Sequence, residues 1–175
     1  MAKRTSFILH TMNVIFWIIF IGLCIKTGSI LYSYIVSMAI NPIAAQNLNS
    51  GLNLSQLYSY DIAHYHLVVW MLIVLTGLKA FIGYWVVKIF LEMKIEKPFS
   101  EGVQKIISRI SQIALWAGLL AVVAQAYTDW LMKKDVAIPI DWASGETLFF
   151  AGVIYIIAQV FSKGIELQSE NELTV

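Results

Sequence analysis

Long uncharged apolar runs alternate with short polar segments along this chain. Four runs stand out, at 5–25, 62–87, 110–128 and 147–162, and only Lys79 interrupts one of them. At 1.5 Å rise per residue, each can cross most of a hydrocarbon core about 30 Å thick. The expected fold is an all-α membrane protein, a four-transmembrane-helix bundle with spans at 5–25, 62–90, 106–131 and 144–162. These form a single domain over 1–175, with an external loop at 41–60, a cytoplasmic loop at 91–105 and a cytoplasmic tail at 163–175.

The polar segments carry start and stop signals. Past Lys26 and Gly28 lies an apolar stretch at 30–40 punctuated by Ser and Tyr, either a helical extension above the membrane or an interfacial segment. Asn41-Pro42 ends it, because proline disfavours helical geometry in the residue before it. The Asn- and Ser-rich segment around Gly51 reads as a loop with a short strand at 52–58. Asp61 is placed to cap the second span. Pro98 breaks the chain at Lys97-Pro98-Phe99-Ser100, after which Ser100 caps the next helix and Glu101 complements its dipole.

Composition agrees: 59% of residues are apolar and 13% charged, against about 25% charged in ordinary soluble domains, and mean hydropathy is +0.73. Charge placement says more than the net value of +1. With the N-terminus cytoplasmic, inside ends carry Lys3, Arg4, Lys88, Lys94, Lys97, Lys105, Arg109 and Lys163, while outside ends carry Lys26, Lys133 and Lys134. Setting Lys79 apart, eight against three puts both termini inside. Trp70, Trp130 and Trp142 near the outer ends and Trp85 near an inner one fit interfacial anchors. No cleavage pattern follows the first run, so that span is expected to be retained. The single cysteine, Cys24, excludes an internal disulfide and a multi-cysteine metal site.

Lys79 carries the most chemistry. It lies nine residues from Lys88, about 13 Å along the helix. An unpaired lysine at such depth costs about 2.5–3.5 kcal/mol, part of which its stem recovers by reaching toward the headgroups. Depth counted from the inner ends puts Asn13, Tyr155 and Gln159 near the same level and Glu146 far higher. An intramembrane polar cluster of Lys79, Asn13, Tyr155 and Gln159 is therefore expected, either as an anchor or as a site for an anionic lipid or ligand. Thr76 and Gly83 on the same helix face leave room for a neighbour. Ala114, Gly118, Ala121 and Gln125 form one close-approach face, and Gly145, Gly152 and Gln159 another. Gln125 is expected in an outer group with Asp129 and His66.

Asp61, His64 and His66 are the nearest approach to a metal set, but His66 points about 160° from His64 on a helix, so no metal site is expected. No HExxH, nucleophile elbow, phosphate loop or paired intramembrane carboxylates occur, so neither catalytic residues nor a cofactor is expected.

Two inside elements carry a resemblance. They are the Lys97-Pro98-Phe99-Ser100 turn with Lys105-Ile106-Ile107-Ser108-Arg109-Ile110-Ser111, and the terminal segment at 161–175 that opens Phe161-Ser162-Lys163-Gly164-Ile165-Glu166-Leu167. With four spans in this order, the chain resembles the YoaS-like family of small bacterial membrane proteins, whose biochemical function is unassigned. Ser169 and Glu172 depart mildly from its pattern. Members are often encoded beside a small Cro-type helix-turn-helix regulator. The resemblance implies a membrane-bound regulatory or sensing partner of such a regulator in the bacterial cytoplasmic (inner) membrane, without direct contact to nucleic acid and without catalytic residues. The matching partner or lipid surface comprises Lys94, Lys97, Phe99, Lys105 and Arg109 with Glu166, Leu167, Glu170 and Leu173. The alternative is a small transport, immunity or lipid-binding protein that works through the Lys79 cluster.

Overall fold

The computed structural model describes the backbone of residues 2–92 and 100–172. Its elements are α1 (Ala2–Ala39), a 3-10 turn (Pro42–Gln46), α2 (Ser55–Tyr60), α3 (Ile62–Glu92), α4 (Glu101–Met132) and α5 (Ser144–Glu172). Helices α1, α3, α4 and α5 are long and apolar enough to cross a membrane.

Local chemistry sets the boundaries. Asp61 Oδ1 accepts the N–H groups of Ala63 at 2.6 Å and His64 at 3.2 Å, starting α3. Those two donors hold its carboxyl below the usual carboxylate range. Ser100 Oγ accepts the Val103 N–H at 3.4 Å, with Glu101 in the first turn of α4. The stretch at 30–40 is a helical extension, because α1 runs unbroken through Ala39. Residues 52–58 are not a strand: Asn53 Oδ1 accepts the Ser55 N–H at 2.9 Å and opens α2. Leu54 and Leu57, three apart and both 0% exposed, then share the buried side of that helical turn.

The long helices pack in chain order: α1 on α3, α3 on α4, α4 on α5. Among the described residues, the backbones of α3 and α5 do not meet, so a groove floored by α4 lies between them. The most apolar stretch of α1 is 0% buried and that of α5 11%, against 44% for α3 and 39% for α4. Exposed Phe7, Ile18, Ile25, Phe149, Phe150 and Val160 make these flanking helices apolar toward their surroundings. Helices with so much uncovered apolar surface belong in lipid, and the chain is a multi-pass membrane protein.

Small residues set the closest approaches. A Cβ at Gly118 would lie 3.1 Å from Leu148 Cα, so α4 and α5 touch through the face that also buries Ala114 and Ala121. Gly83 faces Phe20 of α1 at 3.5 Å. Contrary to expectation, a Cβ at Gly145 or Gly152 of α5 would meet nothing within 4 Å among the described residues. The packed face of α5 instead carries Ala151 and Ala158, one residue further round from Gly152 and Gln159 on each turn and both buried.

Helix α1 runs antiparallel to α3 from Phe16 to Ser37. Phe16 meets Phe90, Phe20 meets Tyr84, Thr27 lies by Gly77, Tyr34 meets Trp70 and Ser37 bonds Tyr65. Both ends of the described chain therefore lie at one end of the molecule, together with the end of α3 and the start of α4. The opposite end carries a cap built from 40–60 and 133–143, with a core of Ala45, Leu48, Leu54, Leu57 and Trp142.

Candidate functional site

The antiparallel register places Lys79 level with Lys26, near the middle of α3, and not with Asn13. Lys79 lies within electrostatic reach of Lys26 and Asp141. It also lines the same groove as Glu146. The expected cluster does not assemble. Asn13 lies near the level where Phe16 meets Phe90, and its buried Oδ1 finds no hydrogen-bond partner among the described residues. Tyr155 is 46% exposed and Gln159 is exposed, both on α5. Depth counted from the nearest inner charge assumes that all four spans end together; the continuous α1 instead carries Lys26 up to Lys79.

Two concavities surround these charges. The first is a cleft of about 350 Å³ at the cap, lined by Lys26 and Ile30 of α1, Leu72 of α3, the 49–52 turn and Asp141. The second, of about 320 Å³, is the groove between α3 and α5, where Lys79 and Glu146 stand over Ala114, Ala117, Phe150 and Ile154. Among the described residues, neither lysine forms an ion pair with either carboxylate.

Local structure positions each wall. Asn47 Oδ1 accepts the Gly51 N–H at 2.9 Å, and the turn closes through Ser50 (φ 48°) and Gly51 (φ 87°). Two successive left-handed residues favour glycine at the second. Leu48 N–H donates to the Leu52 carbonyl across this turn at 2.9 Å. Asp141 is held by its neighbours. Trp142, 1% exposed, donates from Nε1 to Thr128 Oγ1 at 3.0 Å, pinning the loop onto α4. Asp141 Oδ1 accepts the Ala143 N–H at 2.8 Å, supporting the left-handed Ala143 (φ 48°) that leads into α5. The Gln56 side chain accepts the Ala137 N–H at 3.1 Å and ties α2 to the same loop.

The histidines brace this end. His66 Nδ1 bonds the Tyr34 hydroxyl of α1, while His64 Nδ1 lies 2.6 Å from the Tyr127 hydroxyl of α4. They turn to opposite sides of α3, and His66 does not join Gln125, whose Nε2 donates to Asp129 Oδ1 at 2.7 Å. Ser37 Oγ donates to the Tyr34 carbonyl at 2.7 Å and meets the buried Tyr65 hydroxyl at 2.8 Å.

At the far end, Arg109 stands 4.8 Å from the Trp85 ring centroid and Lys88 5.0 Å, within cation–π range. Gln104 Nε2 donates to Ser162 Oγ at 2.8 Å and joins α4 to α5. Lys105 pairs with Glu101 at 3.4 Å and Lys163 with Glu166 at 2.7 Å, each within one helix. Leu167 is 51% exposed and Glu170 is exposed on the helical continuation of α5. Lys94, Lys97, Phe99 and Leu173 lie outside the described residues.

Sequence reasoning missed Lys26, Asp141 and Glu146 as neighbours of Lys79, and the 49–52 turn as a wall of the cleft. The available signal was Lys26 itself, the one lysine between Arg4 and the end of α1 at Ala39. No curated protein and no solved structure matches the chain. Residues 55–175 match the family described as "Protein of unknown function (DUF2975)", a stretch that takes in α2 to α5 with Lys79, Asp141 and Glu146. With well over half its length matched, the chain belongs to the DUF2975 family.

Proposed function

We propose that this protein is a membrane-bound sensing partner of a small cytoplasmic helix-turn-helix regulator. The cap-end cleft is the sensor and the far end is the docking surface. The supporting observation is α5. It starts beside the cleft, with Asp141 just before it and Glu146 in its first turn, and continues unbroken to Glu172. Its 29 residues span about 43 Å. It packs closely on α4 alone among the described helices, so a ligand that engages Asp141 or Glu146 can slide or tilt it with little else disturbed. The moving end carries Leu167 and Glu170.

The lysine and arginine distribution supports placing that end in the cytoplasm of a bacterial inner membrane. The resemblance to the YoaS-like family supports a helix-turn-helix partner. The docking surface comprises Lys94, Lys97, Phe99, Lys105 and Arg109 with Glu166, Leu167, Glu170 and Leu173, and the role is non-catalytic. Removal of 167–175 from the full chain should abolish capture of the regulator encoded beside it, while insertion and thermal midpoint stay near those of the parent. Undiminished capture by the truncated chain sinks the proposal.

The Lys79–Glu146 groove favours a second reading, a small transport, immunity or lipid-binding protein. In that case tail removal is harmless and Lys79→Gln is not.

A further inference from the structure

We infer that the cleft and the groove form one site for a single amphiphile, a phospholipid whose head carries both a phosphate and a primary ammonium. This rests on the cap end being the sensor and names what it senses. The two concavities have no lining residue in common, but each takes one wall from α3. Leu72 in the cleft and Lys79 in the groove are seven residues apart on one face of α3, about 10 Å. Asp141 and Glu146 stand at the entrance and first turn of α5.

Polarity divides between them in the way an amphiphile requires. The cleft offers Lys26, Asp141 and the polar 49–51 turn above Ile30 and Leu72. The groove below offers Ala114, Ala117, Phe150 and Ile154, with Glu146 at its cap end and Lys79 further down, level with Ala114. It lies between helices whose backbones do not meet, and the alanine floor leaves room for a chain of methylenes. Burying such a chain removes apolar surface from water, a gain a headgroup alone lacks.

The charges select the head. Lys26 and Asp141 line the cleft, Lys79 and Glu146 line the groove, and among the described residues the four do not pair with one another. A purely anionic head satisfies the lysines and repels Asp141 and Glu146. A zwitterionic head places its phosphate toward Lys26 and Lys79 and donates from its ammonium to the carboxylates, leaving no like charges opposed.

The test uses the purified full chain in a neutral detergent, with the rise in thermal midpoint as readout, so no regulator is involved. Lysophosphatidylethanolamine and lysophosphatidylglycerol of equal acyl length are titrated in parallel, with water-soluble phosphoethanolamine as a third arm. The ethanolamine lipid should reach half-effect at a concentration at least fivefold lower than the glycerol lipid, and phosphoethanolamine should do nothing in that range. The double variant Asp141→Asn, Glu146→Gln should weaken the ethanolamine lipid about tenfold and equalise the two. The amide introduced by Asp141→Asn keeps an oxygen that can accept the Ala143 N–H, and an unchanged lipid-free midpoint verifies the fold. Lys26→Gln with Lys79→Gln should weaken both lipids. Equal potency of the two lipids on the parent chain overturns the assignment, as does an unchanged preference in the carboxylate variant. Activity of phosphoethanolamine at lipid concentrations overturns it too, pointing to a soluble zwitterion. Failure here leaves tail-dependent capture untouched, and the reverse also holds.

Discussion

Gly118 and Gly152 look alike in sequence and do different things. Both sit in runs of small residues at helical spacing, yet a Cβ added at Gly118 meets Leu148 backbone at 3.1 Å while one at Gly152 meets nothing within 4 Å. Leu148 Cδ1, also at 3.1 Å, can swing aside, but the Leu148 Cα cannot. Gly118→Val should therefore destabilise by about 1–3 kcal/mol through overpacking, whereas Gly152→Val should leave the thermal midpoint in detergent within error. Equal effects would place the helix contact elsewhere. The α4 face was readable because its small residues recur along the side that the structure buries. On α5 the glycine series is offset by one residue, about 100° of rotation, from the packed Ala151 and Ala158, and spacing alone does not say which of two small faces is used. Lys79 shows the same limit. Its polarity marked it, but its neighbours depend on the register between α1 and α3, which no local pattern encodes.

At the scale of elements, the cap is what positions the cleft, and one tryptophan holds much of it. Trp142 is nearly fully buried and its indole N–H donates to Thr128, a residue of α4. The loop at 133–143 reaches the cleft only because it is fastened there, with Asp141 as the next residue back. Trp142→Ala should cost about 3–5 kcal/mol by opening a cavity at the cap core. Lipid or other ligand responses that depend on Asp141 should fail at temperatures where the rest of the chain stays helical by circular dichroism. Loss of helix signal and ligand response together, at one temperature, would instead make the cap inseparable from the spans. Caps at Asp61 and Ser100 were legible because a short polar side chain before an apolar run has one local use. The 30–40 extension and α2 were harder. Tyr34 and Ser37 bond His66 and Tyr65 on another helix, and α2 is held by Leu54 and Leu57 entering a core shared with Trp142.

For the whole molecule, the four long helices, their order and their lipid-facing flanks follow from apolar runs that tolerate no aqueous exposure. Their arrangement in chain order, with a gap between α3 and α5, does not. It depends on Gly118 and Gly83 admitting close neighbours at only two of the faces. The pairing of ends does follow from four crossings, so the cap lies on one side of the membrane and both ends of the described chain lie on the other. With Lys26 level with Lys79 inside the span, eight basic residues on the terminal side against Lys133 and Lys134 on the cap side favour the cytoplasm for that terminal side. Cysteine labelling decides this directly. In a Cys24→Ser background, Asn53→Cys in the exposed cap should react with an impermeant maleimide on intact cells, and Leu167→Cys only after permeabilisation. The inverted pattern would place the cleft in the cytoplasm and the helical end of α5 outside. A cytoplasmic regulator would then meet the cap instead, and the direction of signalling along α5 would be reversed.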